Sequence, residues 1–115
     1  MGSLFVKLLI NTVAISLVSW FYSGIYVNNI VSAVLVALIL GILNTLIRPI
    51  LMLFALPINI ITLGLFTFVI NGFMLWVASW VAPGFYIRSF IDSIIGAILI
   101  SLVSMILGVF SPDDD

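Results

Sequence analysis

The sequence predicts an all-α integral membrane protein: four transmembrane helices built as two parallel-repeat helical hairpins, joined by a broken or interfacial linker. Three observations carry this. Of 115 residues, 65% are hydrophobic and 6% charged, with a mean hydropathy of +1.51, far above a soluble domain. Three basic and four acidic residues cannot supply the polar shell that a soluble core of this length needs, so lipid is the solvent. The chain also matches itself at a displacement of 60 positions, without a gap. Asn11 aligns with Asn71, Ser19-Trp20 with Ser79-Trp80, Gly24 with Gly84, Tyr26 with Tyr86 and Ala37 with Ala97.

A helix needs roughly 20 apolar residues to cross the hydrocarbon core, and open sheets leave unpaired backbone edges there. The first span runs from about Leu4 to Tyr22 and stops at Ser23-Gly24. No small-residue cleavage site follows it, so it is read as retained, and Val6 stands where a myristoylation signal has Ser or Thr. After Asn28-Asn29 the second span covers Ile30 to Ile47, closing repeat unit 1 (4–47). The linker, 48–60, holds Arg48, Pro49 and Pro57. The third span, Ile61 to Val81, and the fourth, Phe90 to Phe110, flank Pro83-Gly84 and Arg88 and make repeat unit 2 (61–110). An acidic tail, 111–115, completes a single membrane domain (1–115).

A repeat of hairpins returns the chain to its starting side, so equivalent residues share one depth and one interface. Trp20, Tyr22 and Tyr26 then join Trp80 and Tyr86 in an aromatic belt at one end, with Lys7 and Arg48 at the other. Two basic residues against one, Arg88, place both termini in the cytoplasm. Asp92 suits the positive end of the fourth helix and can pair with Arg88 one turn earlier.

Small residues recur on the second helix (Ala33, Ala37, Gly41) and on the fourth (Ser93, Ala97, Ser101). Membrane helices associate through such faces, which predicts close approach of these two helices around a pseudo-two-fold axis, or contacts between protomers. Asn11 and Asn71 each lie nine residues before a tryptophan, about 13 Å deeper at the helical rise. Near mid-membrane their amides must bond to each other, to backbone or into a wet cavity, as structural glue or as a polar site.

Pro49 removes a donor and disfavours helix at Arg48, so the second helix ends or kinks there, and Pro57 repeats the effect. Arg48 lies one turn after Asn44 on the same face. It either anchors the interface and caps carbonyls freed by the prolines, or contacts a lipid headgroup or anionic substrate.

The chain has no Cys and no His, which removes disulfides, thiolate nucleophiles, imidazole bases and the usual ligands of zinc, iron and haem. No cofactor is expected, and no catalytic set is legible, so the chain is read as a non-enzyme. A formal net charge of -1 without a basic cluster gives no footprint for nucleic acid.

"NTLIRP" from Asn44, the later "LP", "TLGLF" and "VIN" ending at Asn71 resemble the signature of a bacterial four-transmembrane family grouped with mycobacterial-type phage holins, superfamily IV. Positions matching that pattern are Asn44, Arg48, Pro49, Pro57, Thr62, Gly64 and Asn71. The resemblance implies homo-oligomers that permeabilise the bacterial cytoplasmic membrane, and carries over no catalytic or binding residue. Thr62 can bond a carbonyl released by a proline or cap the third helix, and Gly64 can permit close packing. Three functions stand side by side: a holin-like lesion former, a small lipid-interacting or transport protein, and a non-conducting structural or envelope-stress subunit. Membrane lipids and further copies of the chain are the expected partners.

Overall fold

A computed structural model describes residues 2–110; the acidic tail at 111–115 lies outside the described residues. The first apolar run forms α1 (Gly2–Phe21), and a short strand β1 (Ile25–Val27) follows it. Then come α2 (Ile30–Leu46), α3 (Arg48–Phe54), α4 (Leu56–Ile61), α5 (Phe66–Val81), β2 (Phe85–Ile87) and α6 (Phe90–Val109). Side chains start the helices that leave the two strands. Asn29 Oδ1 accepts the amide of Ser32 at 2.9 Å before α2, and Ser89 Oγ accepts that of Asp92 at 3.2 Å before α6.

Pro49 and Pro57 each occupy the first turn of a short helix, where a missing N–H is no loss, and so they restart the chain after each break. The axis bends by 49° between α2 and α3. The predicted linker is therefore helical, with Ala55 buried and several of its apolar side chains exposed, Leu53 at 69% and Phe54 at 77%.

The predicted third span starts later than its apolar run. Leu63 and Gly64 take positive φ of 58° and 88°, a hand that cannot continue an α-helix, so α5 begins at Phe66 instead of Ile61. Thr62 fills the capping role but not the other, since the carbonyl it donates to, Ile58 O, already accepts the Thr62 amide and is not one that a proline releases. Its hydroxyl donates to Ile58 O at 2.9 Å and accepts Phe66 N at 3.2 Å. A Cβ on Gly64 meets nothing within 4 Å, so this glycine serves the turn and not the close packing expected of it. By length and composition α1 and α6 can each cross a membrane alone, and α2 with α3 can do so as one bent span. With 16 residues, α5 reaches only about 24 Å against a core of about 30 Å.

The long helices follow one another around a ring: α1 packs on α2, α2 on α5, α5 on α6, and α6 back on α1. The diagonal pair α2 and α6 does not meet, which corrects the expected contact between their small-residue stripes. A core containing Ile15, Val18, Val36, Leu75, Phe85 and Ile100 is buried among the helices. Ala33, Ala37, Ser93 and Ala97 are buried, but α1, α5 and the strands are the neighbours their helices have. Gly41 and Ser101 are exposed, and nothing lies within 4 Å of a Cβ built on Gly41.

One end of the ring is tied by a feature the sequence did not predict. Strands β1 and β2 pair antiparallel, with Ile25 opposite Ile87, Tyr26 opposite Tyr86 and Val27 opposite Phe85. Asn28 N donates to Gly84 O at 2.8 Å, and Arg88 N donates to Gly24 O at 2.9 Å. Each of these bonds maps onto the other when 60 is added to or subtracted from its residue numbers. Gly84 has a φ of 76° and packs against Ser32 and Asn28 so closely that any Cβ would collide.

Candidate functional site

At the opposite end of the ring a cavity of about 420 Å³ opens between the helices. Its position follows from the helical spacing: Lys7, Asn11 and Ile15 are one turn apart on α1, so one face of that helix lines the wall from mouth to floor. Asn44 reaches it from α2 and Arg48 from the first turn of α3, Asn71 from α5, and Ser101 and Ser104 from α6. Ile15, Leu75, Ala97 and Ile100 form its apolar part, continuous with the core below. The cavity of a single protomer is therefore blind.

The predicted polar residues are thus brought together, though not in the predicted pairs. Asn11 and Asn71 both face the cavity, and Asn11 Oδ1 accepts the Ser104 hydroxyl at 3.0 Å in place of a bond from Asn71. Among the described residues, the side chains of Lys7, Asn44, Arg48 and Asn71 have no hydrogen-bond or ion-pair partner. Arg48 does not cap carbonyls freed by the prolines. Pro49 and Pro57 shape the backbone and do not line the cavity, whereas Ser101, expected as a packing residue, does.

Several lining residues form sets 60 positions apart: Asn11 with Asn71, Ile15 with Leu75, Leu40 with Ile100, and Asn44 with Ser104. The charges break this pattern. Sixty positions after Lys7 stands Thr67, and sixty after Arg48 stands Gly108, so both cations come from the first half of the chain. Ser104 was missed in the sequence, although its alignment with Asn44 was the available signal.

The remaining charged pair sits at the strand end. Arg88 donates to Asp92 through Nε at 3.0 Å and through a terminal nitrogen at 3.3 Å, as the one-turn spacing predicts. Tyr22 and Ser89 also donate to this carboxylate, at 2.5 and 2.9 Å, so the end of α1 is fastened to the start of α6. Asp92 is buried while the Arg88 side chain is 64% exposed, which makes the carboxylate the centre of the cluster. The Tyr22 pKa is raised above its ordinary 10.0, chiefly by this bond, then by burial and by the negative charge of Asp92.

Comparison with known proteins agrees with the membrane architecture. A family model described as mycobacterial 4 TMS phage holin, superfamily IV, matches residues 2–106. The chain is 33% identical over 125 aligned positions to the uncharacterized protein SCO3922 of Streptomyces coelicolor, covering all of both chains. It is 34% identical over 110 positions to the uncharacterized membrane protein YvlD of Bacillus subtilis, covering 93% of this chain and 92% of that one. No solved structure gives a significant match. With nearly its whole length matched, the chain belongs to the four-transmembrane phage holin family of superfamily IV.

Proposed function

We propose that this holin-like protein alters the permeability of the bacterial cytoplasmic membrane as a homo-oligomer, with the polar cavity of each protomer forming the wetted part of the path. The cavity carries the reading: in so apolar a chain, three asparagines and two serines around one space are a costly arrangement unless water or solute uses it. Because the cavity is blind, passage requires that assembled copies open the floor or align cavities between them.

The two hairpins are read as copies of one unit, the same way up. The matched registers of ribbon, caps and cavity lining support this, and it puts both termini on one side. Lys7 and Arg48 at the cavity end make that side cytoplasmic, since the third cation, Arg88, is held by Asp92 at the other end. In this topology α5, with α4 and the turn before it, forms the third of four crossings, and local thinning of the bilayer accommodates its shortness.

The test is release of small and large fluorescent dyes from liposomes as protein density rises. Release that grows with density, with a size cutoff, supports assembly into a lesion; tight liposomes at every density overturn it. A second reading, a small lipid-interacting or transport protein, is favoured by one observation: the two cations at the cavity have no acidic partner among the described residues.

A further inference from the structure

We propose that the cavity is a binding site for a phosphate group, with Lys7, Arg48, Asn44 and Asn71 as its ligands. The phosphate is carried either by a lipid headgroup or by a free anion. The proposal names the ligand of the cavity and stands apart from whether copies of the chain assemble.

Charge comes first. Lys7 and Arg48 line one space, and among the described residues no acidic side chain lines it with them. The chain's third cation is committed elsewhere, to Asp92 at 3.0 Å. Two cations from α1 and α3 thus share one space with no carboxylate among the described residues between them, which favours an entering anion.

Donor geometry narrows the anion. A guanidinium offers a planar fork that matches two oxygens of a phosphate, and an ammonium offers a compact charge with three donors. The amides of Asn44 and Asn71 add two N–H donors each and have no partner among the described residues. Together these donors reach from α1, α2, α3 and α5 and suit a group with several acceptor oxygens better than a single-atom ion. Space is sufficient: about 420 Å³ corresponds to roughly 14 waters at about 30 Å³ each.

Position then fixes stoichiometry. The residues 60 positions after the two cations, Thr67 and Gly108, are uncharged, so the lining is matched while the charge is one-sided. The site therefore takes one phosphate per protomer, displaced toward α1 and α3.

The chain has no cysteine, so Ser101→Cys provides a single reporter at the cavity wall. The full-length protein carrying it is placed in phosphatidylcholine nanodiscs, and its rate of labelling by a charged maleimide is measured with and without inorganic phosphate. A second set of discs contains phosphatidic acid. Slowed labelling with inorganic phosphate identifies a free anion, and slowing only in phosphatidic acid discs identifies the headgroup. In either case Lys7→Gln with Arg48→Gln removes the protection. Labelling unaffected by both ligands overturns the proposal, as does equal protection by chloride at the same ionic strength or protection undiminished in the double variant. Where the double variant does not reconstitute, Arg48→Gln alone decides: about tenfold weaker protection by the ligand supports the site, and an unchanged concentration dependence overturns it.

Discussion

Tyr26 lies directly opposite Tyr86 in the ribbon, their rings stacked with centroids 6.2 Å apart and planes 22° apart, and 60 residues separate them in the chain. The pair sits where the two halves meet, so it reports whether the ribbon exists in the membrane. Facing Cα atoms of antiparallel strands are about 4.5–5.5 Å apart, within the range a disulfide spans. Tyr26→Cys combined with Tyr86→Cys, in a chain otherwise free of cysteine, should oxidise to an intramolecular bridge visible as faster migration on a non-reducing gel. Bridging only between chains contradicts the pairing.

At the same end, Asp92 accepts from Tyr22, Ser89 and Arg88, whereas Arg88 gives up only the Asp92 contact when its side chain is shortened. Asp92→Asn is therefore expected to lower the melting temperature in detergent by more than Arg88→Gln does. Equal losses mean that the exposed guanidinium, not the buried carboxylate, organises the cluster.

The raised pKa of Tyr22 gives this cluster an alkaline limit. Because the folded-state value lies above the unfolded one, the bond's contribution is complete below about pH 10 and is lost as pH rises through the raised value. Tyr22→Phe should be less stable than the wild type at neutral pH, and the difference should shrink above pH 10. A constant gap across that range rules out the phenol proton as the source.

Two glycines separate packing from propensity. A Cβ on Gly72 lies 2.8 Å from the Cα of Ile94, so Gly72→Ala must push α5 from α6, at a cost of about 1–3 kcal/mol. Gly41→Ala meets nothing and gains helix propensity, about 1 kcal/mol. Denaturation by SDS should rank the variants on opposite sides of the wild type; both destabilised by similar amounts means that Gly41 packs against a second copy.

Part of the ribbon end was visible in the sequence as matched positions: Tyr26 and Tyr86 face each other in space, whereas Gly24 and Gly84 are equivalent but lie opposite Arg88 and Asn28. The strands themselves were not, because three residues are too few to display an alternation. At the cavity, Asn11, Asn71, Asn44 and Arg48 were legible one by one as polar groups in apolar helices. What brings them together is the ring order and the bend at Pro49, neither of which periodicity encodes. Lys7 was read only for topology, for the same reason. Ala33, Ala37, Ser93 and Ala97 of the α2 and α6 stripes are buried, but against other elements than expected, because a small residue does not say which helix it will meet. The late start of α5 depends on Leu63 at positive φ, a conformation that a leucine does not advertise.

Closure of the ring has a consequence for biosynthesis. Since α1 packs against α6, the first helix to leave the ribosome waits for the last before its second neighbour arrives. Until β2 is made, β1 has an unpaired edge, and until α6 is inserted, Lys7 and Arg48 face a trough with one side missing and Tyr22 lacks its carboxylate. A chain stalled or cleaved before β2 thus displays basic, polar and strand-edge surface at once, the kind of surface that leaves an incomplete chain prone to misassembly.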